Sequence, residues 1–192
     1  MHDSPTMSEQ RKLKLYVKYQ QMIAERHLIP FFRRHDVSLN GPILDIGCAT
    51  GGCAIAIASA LGVPVTGFDV LPERIETARE ANEEAGTDVV FDVVNVLEDP
   101  LPAGKYSLAL LRDVVEHLPD LNTALTRIRP VLREDGLLYV TFPPWKGPFA
   151  GHQHNARGFG KFMPYAHVFF PGLFLKLLHR WEAESGRGED WL

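Results

Sequence analysis

Two acidic residues and a glycine-rich segment stand where they could hold a nucleoside. The segment is Asp45 followed by Ile-Gly-Cys-Ala-Thr-Gly-Gly, and Asp69 ends the next apolar run along the chain. Glycines at such a turn permit positive φ angles and let backbone N–H groups approach a ligand closely. A carboxylate at the end of a second strand can accept hydrogen bonds from both hydroxyls of a ribose. The combination predicts a nucleotide-type cofactor site; the alternative is a structural turn followed by a solvated aspartate.

Three histidines and a tyrosine are candidates for general base catalysis, which an alcohol or phenol acceptor needs because its proton has a high pKa. His117 closes the string Asp-Val-Val-Glu-His that begins at Asp113, and packing or capping at the start of a helix is its other interpretation. His152 and His154 place two imidazoles on one side of an extended loop, and Tyr165 follows. A zinc site there would need further ligands, and no cysteine lies nearby. We predict catalytic roles for His117 and His152 and no metal site.

Short apolar runs alternate with stretches of helical pattern from Ile43 onward. We predict strands over residues 43–46, 63–70, 88–94, 107–111 and 136–142, and helices over 53–61, over 72–85 and after Asp120. Strands separated by helix-length segments require right-handed crossovers, and hence a mostly parallel sheet with helices on both faces. The predicted fold class is therefore α/β with a doubly wound, Rossmann-like sheet. Ligands of such sheets lie at the carboxyl ends of the strands, where the glycine-rich segment and Asp69 would meet.

The first forty residues are predicted to be helical. The apolar residues that recur there at helical spacing are Leu15, Tyr16, Tyr19, Met22 and Ile23. They predict an amphipathic helix, which Pro30 should end because proline lacks the N–H of a helix interior.

The alternation of strands and helices stops after Phe142. Residues 143–160 are rich in Pro, Gly, His and aromatic residues, and residues 164–181 form a long apolar stretch ahead of a polar tail. We interpret this stretch as a lid over the core or as the face of a homodimer. The alternative is an interfacial helix that contacts a membrane peripherally and admits a lipid-like acceptor. We divide the chain into an N-terminal helical segment (1–40), a cofactor-binding core (41–142) and an acceptor-side segment (143–192).

Composition excludes several classes of function. The 192 residues carry a formal charge of −4, so the broad positive field of a nucleic-acid-binding protein is absent and no nucleic-acid partner is expected. Cys48 and Cys53 are five positions apart, a spacing that fits no disulfide framework. The N-terminus has no apolar signal region, and no apolar stretch is long enough to span a membrane, so we predict a cytoplasmic location.

Several motifs resemble those of the class I S-adenosylmethionine-dependent methyltransferases. ILDIGCATGG, which begins at Ile43, resembles their motif I, and VTGFDV resembles the acidic strand that follows it. KYSLALLRDVVEHL and LTRIRPVLREDGLLYVTFP resemble their fourth strand and the helix–strand unit after it. The resemblance covers residues 40–142 and is nearest to the group that includes ubiquinone and menaquinone methyltransferases. It implies methyl transfer from S-adenosyl-L-methionine to a small or lipid-like molecule, with S-adenosyl-L-homocysteine as product.

The resemblance also implies which residues line the cofactor pocket. Asp45 and its loop would shape the methionine side, Asp69 would hold the ribose, and Leu71 would lie against adenine. Asn95 and Val96 would meet the adenine edge, and Arg112 would act through its backbone. The full set implied for cofactor binding is Asp45, Gly47, Cys48, Ala49, Gly51, Asp69, Val70, Leu71, Asn95, Val96 and Arg112.

Some features depart from the family's pattern. Ala49 replaces the usual middle glycine, which is tolerable if this residue keeps a negative φ angle, and Asn95 and Ser107 stand where aspartates are common. The family's sheet usually ends with a sixth and a seventh strand, and we recognise neither after Phe142. Either the chain is a truncated form, or a partner covers the sheet edge, which would otherwise invite association.

Three other interpretations stay open. A nicotinamide dinucleotide enzyme would use the same loop, but usually as G-x-G-x-x-G, whereas the sequence from Gly47 gives G-C-A-T-G-G. A methyltransferase-like module could bind the cofactor and act as a regulator rather than as a catalyst. The D-x-x-E-H spacing at residues 113–117 is also similar to the E-x-x-E-H of metal-assisted O-methyltransferases, although such strings are frequent in metal-independent members.

Overall fold

The computed structural model describes residues 7–102, 105–144 and 147. One parallel sheet contains the five strands β1 Ile43–Ile46, β2 Val65–Asp69, β3 Val90–Val93, β4 Tyr106–Arg112 and β5 Leu132–Thr141. The helices are α1 Met7–Ile23, α2 Ile29–Arg34, α3 Gly52–Leu61, α4 Pro72–Ala85 and α5 Leu121–Ile128. The strand order is β3-β2-β1-β4-β5, and every neighbouring pair is parallel. The predicted doubly wound α/β fold is confirmed.

The order of the strands creates a switch point at β1. The chain runs outward from β1 to β2 and β3, then returns to place β4 on the other side of β1 and β5 beyond it. Within this register, Ile43 lies between Val65 of β2 and Leu108 of β4. A crevice forms where such an order reverses, at the carboxyl ends of the strands. The glycine-rich loop, Asp69 and Arg112 all lie at that edge.

Apolar side chains cover both faces of the sheet, and successive residues of a strand alternate between the two faces. Ile43 and Leu110 belong to the cluster formed with α2, α3 and α4, whereas Leu44 and Leu111 belong to the cluster formed with α5. All four side chains are buried. Because both faces are covered, β1 and β4 are almost continuous apolar runs, and the sequence pattern located them for that reason.

The prediction that Pro30 ends the N-terminal helix was wrong. A π-helical turn, Ala24–Leu28, joins α1 to α2, and Pro30 lies in the first turn of α2. The first turn tolerates proline because its missing N–H has no partner within the helix there. The helical path therefore continues through Arg34.

The predicted apolar face of α1 was wrong at three of its five residues, whereas Met22 and Ile23 are half-buried. Leu15, Tyr16 and Tyr19 are 59%, 45% and 52% exposed. The buried residues are instead Val17, Gln20, Ala24 and Leu28, which recur at intervals of three and four. The polar Gln20 on this face explains why apolar periodicity missed it.

Strand β5 begins at Leu132, four residues before the predicted start. A register irregularity between Tyr106 and Leu108 of β4 accommodates the extra residues of β5. Within the described ranges β5 is the last strand, and none of their helices is long and apolar enough to cross a membrane. The predictions for residues 164–181 and for His152, His154 and Tyr165 lie outside the described residues.

Candidate active site

The glycine-rich loop after β1 folds tightly around the end of β2. The N–H groups of Gly47 and Cys48 both donate to the carbonyl oxygen of Phe68, at 2.7 and 2.9 Å. Gly47, Ala49 and Gly51 all have left-handed backbones, with φ angles of 72°, 50° and 75°. This alternation turns the chain sharply from β1 into α3.

Two glycines of the loop are required by packing as well as by conformation. A Cβ atom added at Gly47 would lie 2.4 Å from Cγ2 of Val114, which follows β4. One added at Gly51 would lie 2.6 Å from Cζ of Phe91 in β3. Side chains at these positions would therefore push apart the strand ends that form the crevice.

Ala49 does not meet the condition placed on it by the sequence. Its φ angle is +50°, whereas the sequence made the tolerance of an alanine here depend on a negative φ angle. A left-handed backbone costs an alanine about 1–2 kcal/mol relative to glycine's freedom. The hydrogen bond that the Ala49 N–H donates to Oδ2 of Asp69, at 2.9 Å, offsets this cost.

Asp69 is held at the end of β2 by both of its carboxylate oxygens. Oδ2 accepts the Ala49 N–H, Oδ1 accepts the Leu71 N–H at 3.1 Å, and Nη1 of Arg74 lies 3.9 Å from Oδ2. The side chain is only 5% exposed. A carboxylate oxygen has two lone pairs, so each oxygen retains one for a further donor. Two acceptor sites fixed in this way match the two hydroxyls of a ribose.

Asp45 is a buried carboxyl near the half-buried cation Arg112. Its side chain is 2% exposed, and burial raises its pKa from 3.8 to about 6, with Arg112 lowering the pKa and Asp69 raising it further. Within the described residues, Nη1 of Arg112 is buried and has no hydrogen-bond partner. The guanidinium also lies against the thiol of Cys53, whose pKa burial raises to about 12. Both cysteines are buried and free, in agreement with the prediction that they form no disulfide.

Gln20 of α1 binds the back of the glycine-rich loop and was missed by the sequence analysis. Its Nε2 donates to the carbonyl oxygen of Cys48 at 3.2 Å. Its Oε1 accepts from the hydroxyl of Thr50 at 2.8 Å and from the N–H of Gly52 at 3.1 Å. The only sequence signal was a glutamine on a helix face otherwise occupied by Val17, Ala24 and Leu28.

The pKa of Tyr16, one helical turn before Gln20, is influenced by charged groups at the strand ends. Burial raises the pKa of its hydroxyl, Arg74 and Arg112 act to lower that pKa, and Asp113 acts to raise it. These neighbours come from the start of α4 and the end of β4. Tyr16 is therefore close enough to these charges for them to influence its pKa, although the sequence assigned it to an apolar helix face.

The segment after β3 is ordered by its own polar side chains. Oδ1 of Asn95 accepts the Leu97 N–H at 3.0 Å, and the Asn95 N–H donates to Oδ2 of Asp99 at 2.7 Å. Val96 is buried and Val70, after β2, is 55% exposed. The exposed Val70 side chain is available to a ligand at this edge.

Asp113, which follows β4, also has a left-handed backbone. Its φ angle is +55°, its N–H donates to the carbonyl oxygen of Thr141 at 3.0 Å, and its Oδ1 accepts from the Thr141 hydroxyl at 3.2 Å. His117 is half-buried in the short 3₁₀ turn that follows, at the same edge as the loop. The structure forms no metal-binding group of three or more His, Cys, Asp or Glu side chains anywhere in its described ranges.

The fold thus brings together Asp45, the glycine-rich loop, Asp69 and Arg112 at one edge of a parallel sheet. A strand, a glycine loop and a second strand ending in a fixed carboxylate define a Rossmann-like domain of the kind that binds nucleoside cofactors. Residues 43–136 match the family described as a methyltransferase domain. This part of the chain is therefore similar in sequence to methyltransferase domains.

Comparison with individual proteins agrees with this assignment. The chain is 38% identical over 101 residues to an O-methyltransferase of Aspergillus nomiae, a match covering 51% of this chain and 44% of that protein. It is 31% identical over 105 residues to a ubiquinone biosynthesis O-methyltransferase of Actinobacillus pleuropneumoniae, covering 52% and 44%. The chain therefore spans less than half the length of these relatives. An S-adenosylmethionine-dependent methyltransferase of Aquifex aeolicus shares the fold, with a TM-score of 0.61, 16% identity and coverage of 70% and 72%.

Proposed function

We propose that this chain binds S-adenosyl-L-methionine at the carboxyl ends of β1, β2 and β4 and transfers the methyl group to a small molecule. The observation that carries the proposal is the fixed carboxylate of Asp69, whose two oxygens each keep a lone pair after binding the Ala49 and Leu71 N–H groups. S-adenosylmethionine supplies an electrophilic methyl group on a sulfonium and leaves as S-adenosyl-L-homocysteine.

In this proposal the ends of β2 and β3 hold the nucleoside. Asp69 accepts hydrogen bonds from the ribose hydroxyls through the lone pairs that remain on its two oxygens. Val70 and Leu71 contact one face of the adenine, and the segment with Asn95 and Val96 borders its edge. The bonds of Asn95 to Leu97 and Asp99 keep that border rigid.

The ends of β1 and β4 hold the methionine end in the same proposal. Asp45 is largely deprotonated at neutral pH, since its pKa lies at about 6, and its negative charge favours an ammonium group nearby. The residues of the loop that border this end are Gly47, Cys48, Ala49 and Gly51. Arg112 contributes through its backbone at the strand end, and its buried guanidinium keeps Asp45 charged.

The acceptor side rests on His117 and His152. Displacement at a sulfonium methyl needs no acid for the leaving thioether, so the chain's task is to hold the acceptor close to and in line with the methyl group. The names of the O-methyltransferase relatives indicate an oxygen acceptor for those proteins. An oxygen acceptor also needs a base to take its proton. We assign that role to His117, at the described edge, with His152 as the second candidate.

The acceptor class and the surroundings of the protein belong to the proposal as well. We propose a small or lipid-like acceptor and a cytoplasmic location, in line with the sequence patterns described above. For residues 164–181 we propose a peripheral membrane contact or a homodimer face. The relatives, one of them from ubiquinone biosynthesis, favour a ring hydroxyl as the acceptor group.

Binding calorimetry with S-adenosylmethionine, S-adenosylhomocysteine and NAD tests the proposed site. We expect the two adenosyl ligands to bind and NAD not to bind. Asp69→Asn should weaken binding of S-adenosylhomocysteine by about tenfold or more, since it removes a charged acceptor from the ribose. Asp92→Asn, which changes an exposed carboxylate on β3, is the matched control.

The proposed site is refuted if neither adenosyl ligand binds, or if Asp69→Asn binds as tightly as the wild type. Mass-spectrometric screening of phenols and quinols for methylated products then tests catalysis. Tight cofactor binding without a methylated product from any acceptor would favour a binding module over an enzyme.

A further inference from the structure

We infer that Gln20 is a positioning residue of the cofactor site, which makes the docking of α1 on the glycine-rich loop a condition for binding. The inference rests on the proposed function, because it concerns the same cofactor site. Nothing in the loop's own sequence requires α1; the contacts between them join segments about thirty residues apart.

The first observation is that both ends of a buried amide are used on one loop. Gln20 is 5% exposed, and its amide donates to Cys48 and accepts from Thr50 and Gly52. Burying an amide is unfavourable unless its hydrogen bonds are made. An apolar side chain would pack on α3 without the desolvation cost of an amide. A glutamine is favourable here only when the loop is correctly folded and makes these hydrogen bonds. Glutamine suits the place because one side chain supplies both donors and acceptors.

The second observation is the close approach of the α1 backbone. A Cβ atom added at Gly52 would lie 2.2 Å from the carbonyl oxygen of Val17 and 2.9 Å from Cβ of Gln20. The first residue of α3 is therefore a glycine because α1 passes directly over it. This contact is independent of the Gln20 hydrogen bonds and locates α1 in the same position.

The residues bound by Gln20 alternate with the strained residues of the loop. Cys48, Thr50 and Gly52 carry its hydrogen bonds, and the left-handed residues Ala49 and Gly51 lie between them. Asp69 restrains Ala49 from the opposite side. Removing the restraint from α1 would free the left-handed backbone of Ala49 to relax, and Asp69 would lose the N–H that orients its Oδ2.

Docking through Gln20 also determines the position of Tyr16. Tyr16 is four residues before Gln20 and is near Arg74, Arg112 and Asp113 at the strand ends. The same docking that fixes the loop therefore brings Tyr16 within electrostatic range of these charged groups. We therefore expect cofactor binding to stabilise the docking of α1 on the loop, and this docking to strengthen cofactor binding.

The test compares Gln20→Met with Gln21→Met in the full chain. Methionine keeps the length of the side chain and removes both hydrogen-bonding groups, and Gln21 is the same residue type one position away on a half-buried part of α1. We expect Gln20→Met to weaken S-adenosylhomocysteine binding by about tenfold or more in calorimetry, and Gln21→Met to stay within about twofold. With an acceptor, KM for S-adenosylmethionine should rise while kcat at saturation changes little.

Hydrogen exchange of the ligand-free proteins separates positioning from general destabilisation. We expect faster exchange confined to residues 47–52 in Gln20→Met, with α5 and β4 unchanged. Thr50→Val is the second variant, because it removes one bond to Gln20 and keeps a β-branched shape. It should weaken binding by about two- to fivefold and so provides the decisive measurement if Gln20→Met does not fold.

The outcomes distinguish this inference from the proposed function. A wild-type protein that binds no adenosyl ligand refutes the proposed function, and the inference with it. A wild-type protein that binds, together with a folded Gln20→Met or Thr50→Val that binds equally tightly, refutes the inference alone. If hydrogen exchange is faster throughout Gln20→Met and the folded variant binds with unchanged affinity, the role of Gln20 is purely structural. That result would also overturn the inference.

Discussion

The backbone N–H of Ala49 donates to the carboxylate of Asp69 at 2.9 Å, across twenty residues of sequence. This hydrogen bond joins the loop after β1 to the end of β2, and it holds Ala49 in a left-handed conformation with a φ angle of 50°. The residue proposed to bind the ribose thus also maintains the loop proposed to border the methionine end. Four predictions follow from these contacts and from the charges around them.

Replacing Ala49 with glycine should stabilise the protein. Glycine adopts a positive φ angle without the alanine's steric cost, which outweighs the greater freedom that glycine gains in the unfolded chain. We expect the free energy of unfolding of the ligand-free Ala49→Gly variant to increase by about 0.5–1 kcal/mol in urea titrations. Ala60→Gly, on the exposed side of α3, should instead destabilise by about 0.5–1 kcal/mol. A destabilised Ala49→Gly variant would contradict the left-handed assignment.

Replacing Asp45 with asparagine should lower cofactor affinity and raise the free energy of unfolding at pH 7. The folded-state pKa of about 6 lies above the ordinary 3.8, so the stability contributed by protonated Asp45 is complete below about pH 4 and is lost as pH rises through 6. Asparagine is neutral throughout, so the variant should be more stable than the wild type at pH 7 by at most about 3 kcal/mol, and equally stable near pH 3.5. Its affinity for S-adenosylhomocysteine at pH 7 should fall, because the charge facing the ammonium is lost. A stability difference that does not vary between pH 3.5 and 7 would argue against this pKa.

Replacing Arg112 with methionine should move the acid limit of cofactor binding toward neutral pH. Arg112 is the neighbour that lowers the pKa of Asp45, while burial and Asp69 raise it. Without the guanidinium, the midpoint at which affinity for S-adenosylhomocysteine declines on acidification should rise by about one pH unit. Calorimetric titrations between pH 5 and 8 measure the shift. Arg129→Met, at an exposed position after α5, controls for loss of one positive charge, and equal midpoints in both variants would refute the coupling.

Replacing His117 with glutamine should lower turnover and leave cofactor affinity intact. Loss of a general base toward a phenol typically costs about 10²-fold or more in rate. We expect kcat with a phenolic acceptor to fall by about that factor, while S-adenosylhomocysteine affinity stays within about twofold of the wild type. Part of the rate should return at alkaline pH, where the phenol ionises without assistance. Unchanged kcat would exclude His117 as the base and direct attention to His152.

Elements with strong local signals were predictable from the sequence. The α4 helix occupies residues 72–85 as predicted, since Pro72 marks its first turn and Gly86 its end. Asp120 caps α5 as predicted, and its Oδ1 accepts the Thr123 N–H at 2.9 Å. The acidic ends of β1 and β2 were recognisable because a buried parallel strand is a short apolar run, so an aspartate within it or at its end is conspicuous.

Elements that depend on contacts distant in sequence were not predictable in the same way. The sequence placed a break at Pro30, but the π-helical turn before it and the packing of Leu28 and Phe32 in the core keep the segment helical. It assigned the tyrosines of α1 to the buried face, because hydrophobicity alone cannot reveal a glutamine that is buried through hydrogen bonds. It could not reveal the positive φ angle of Ala49, because the Asp69 carboxylate that accepts the Ala49 N–H lies on another strand.

The sequence by itself determined the α/β class, the glycine-rich loop and the acidic residue after the second strand, because these depend on the types and spacing of neighbouring residues. Only the tertiary structure decided that Gln20 holds the loop, that Tyr16 lies within range of the charges at the strand ends and that the half-buried Arg112 lies near Asp45. Those relationships join residues that are far apart in sequence and that only the packing of α1, β1 and β4 brings together. Burial then sets their energies, because hydrogen bonds and charges removed from water are worth more than the same groups at the surface.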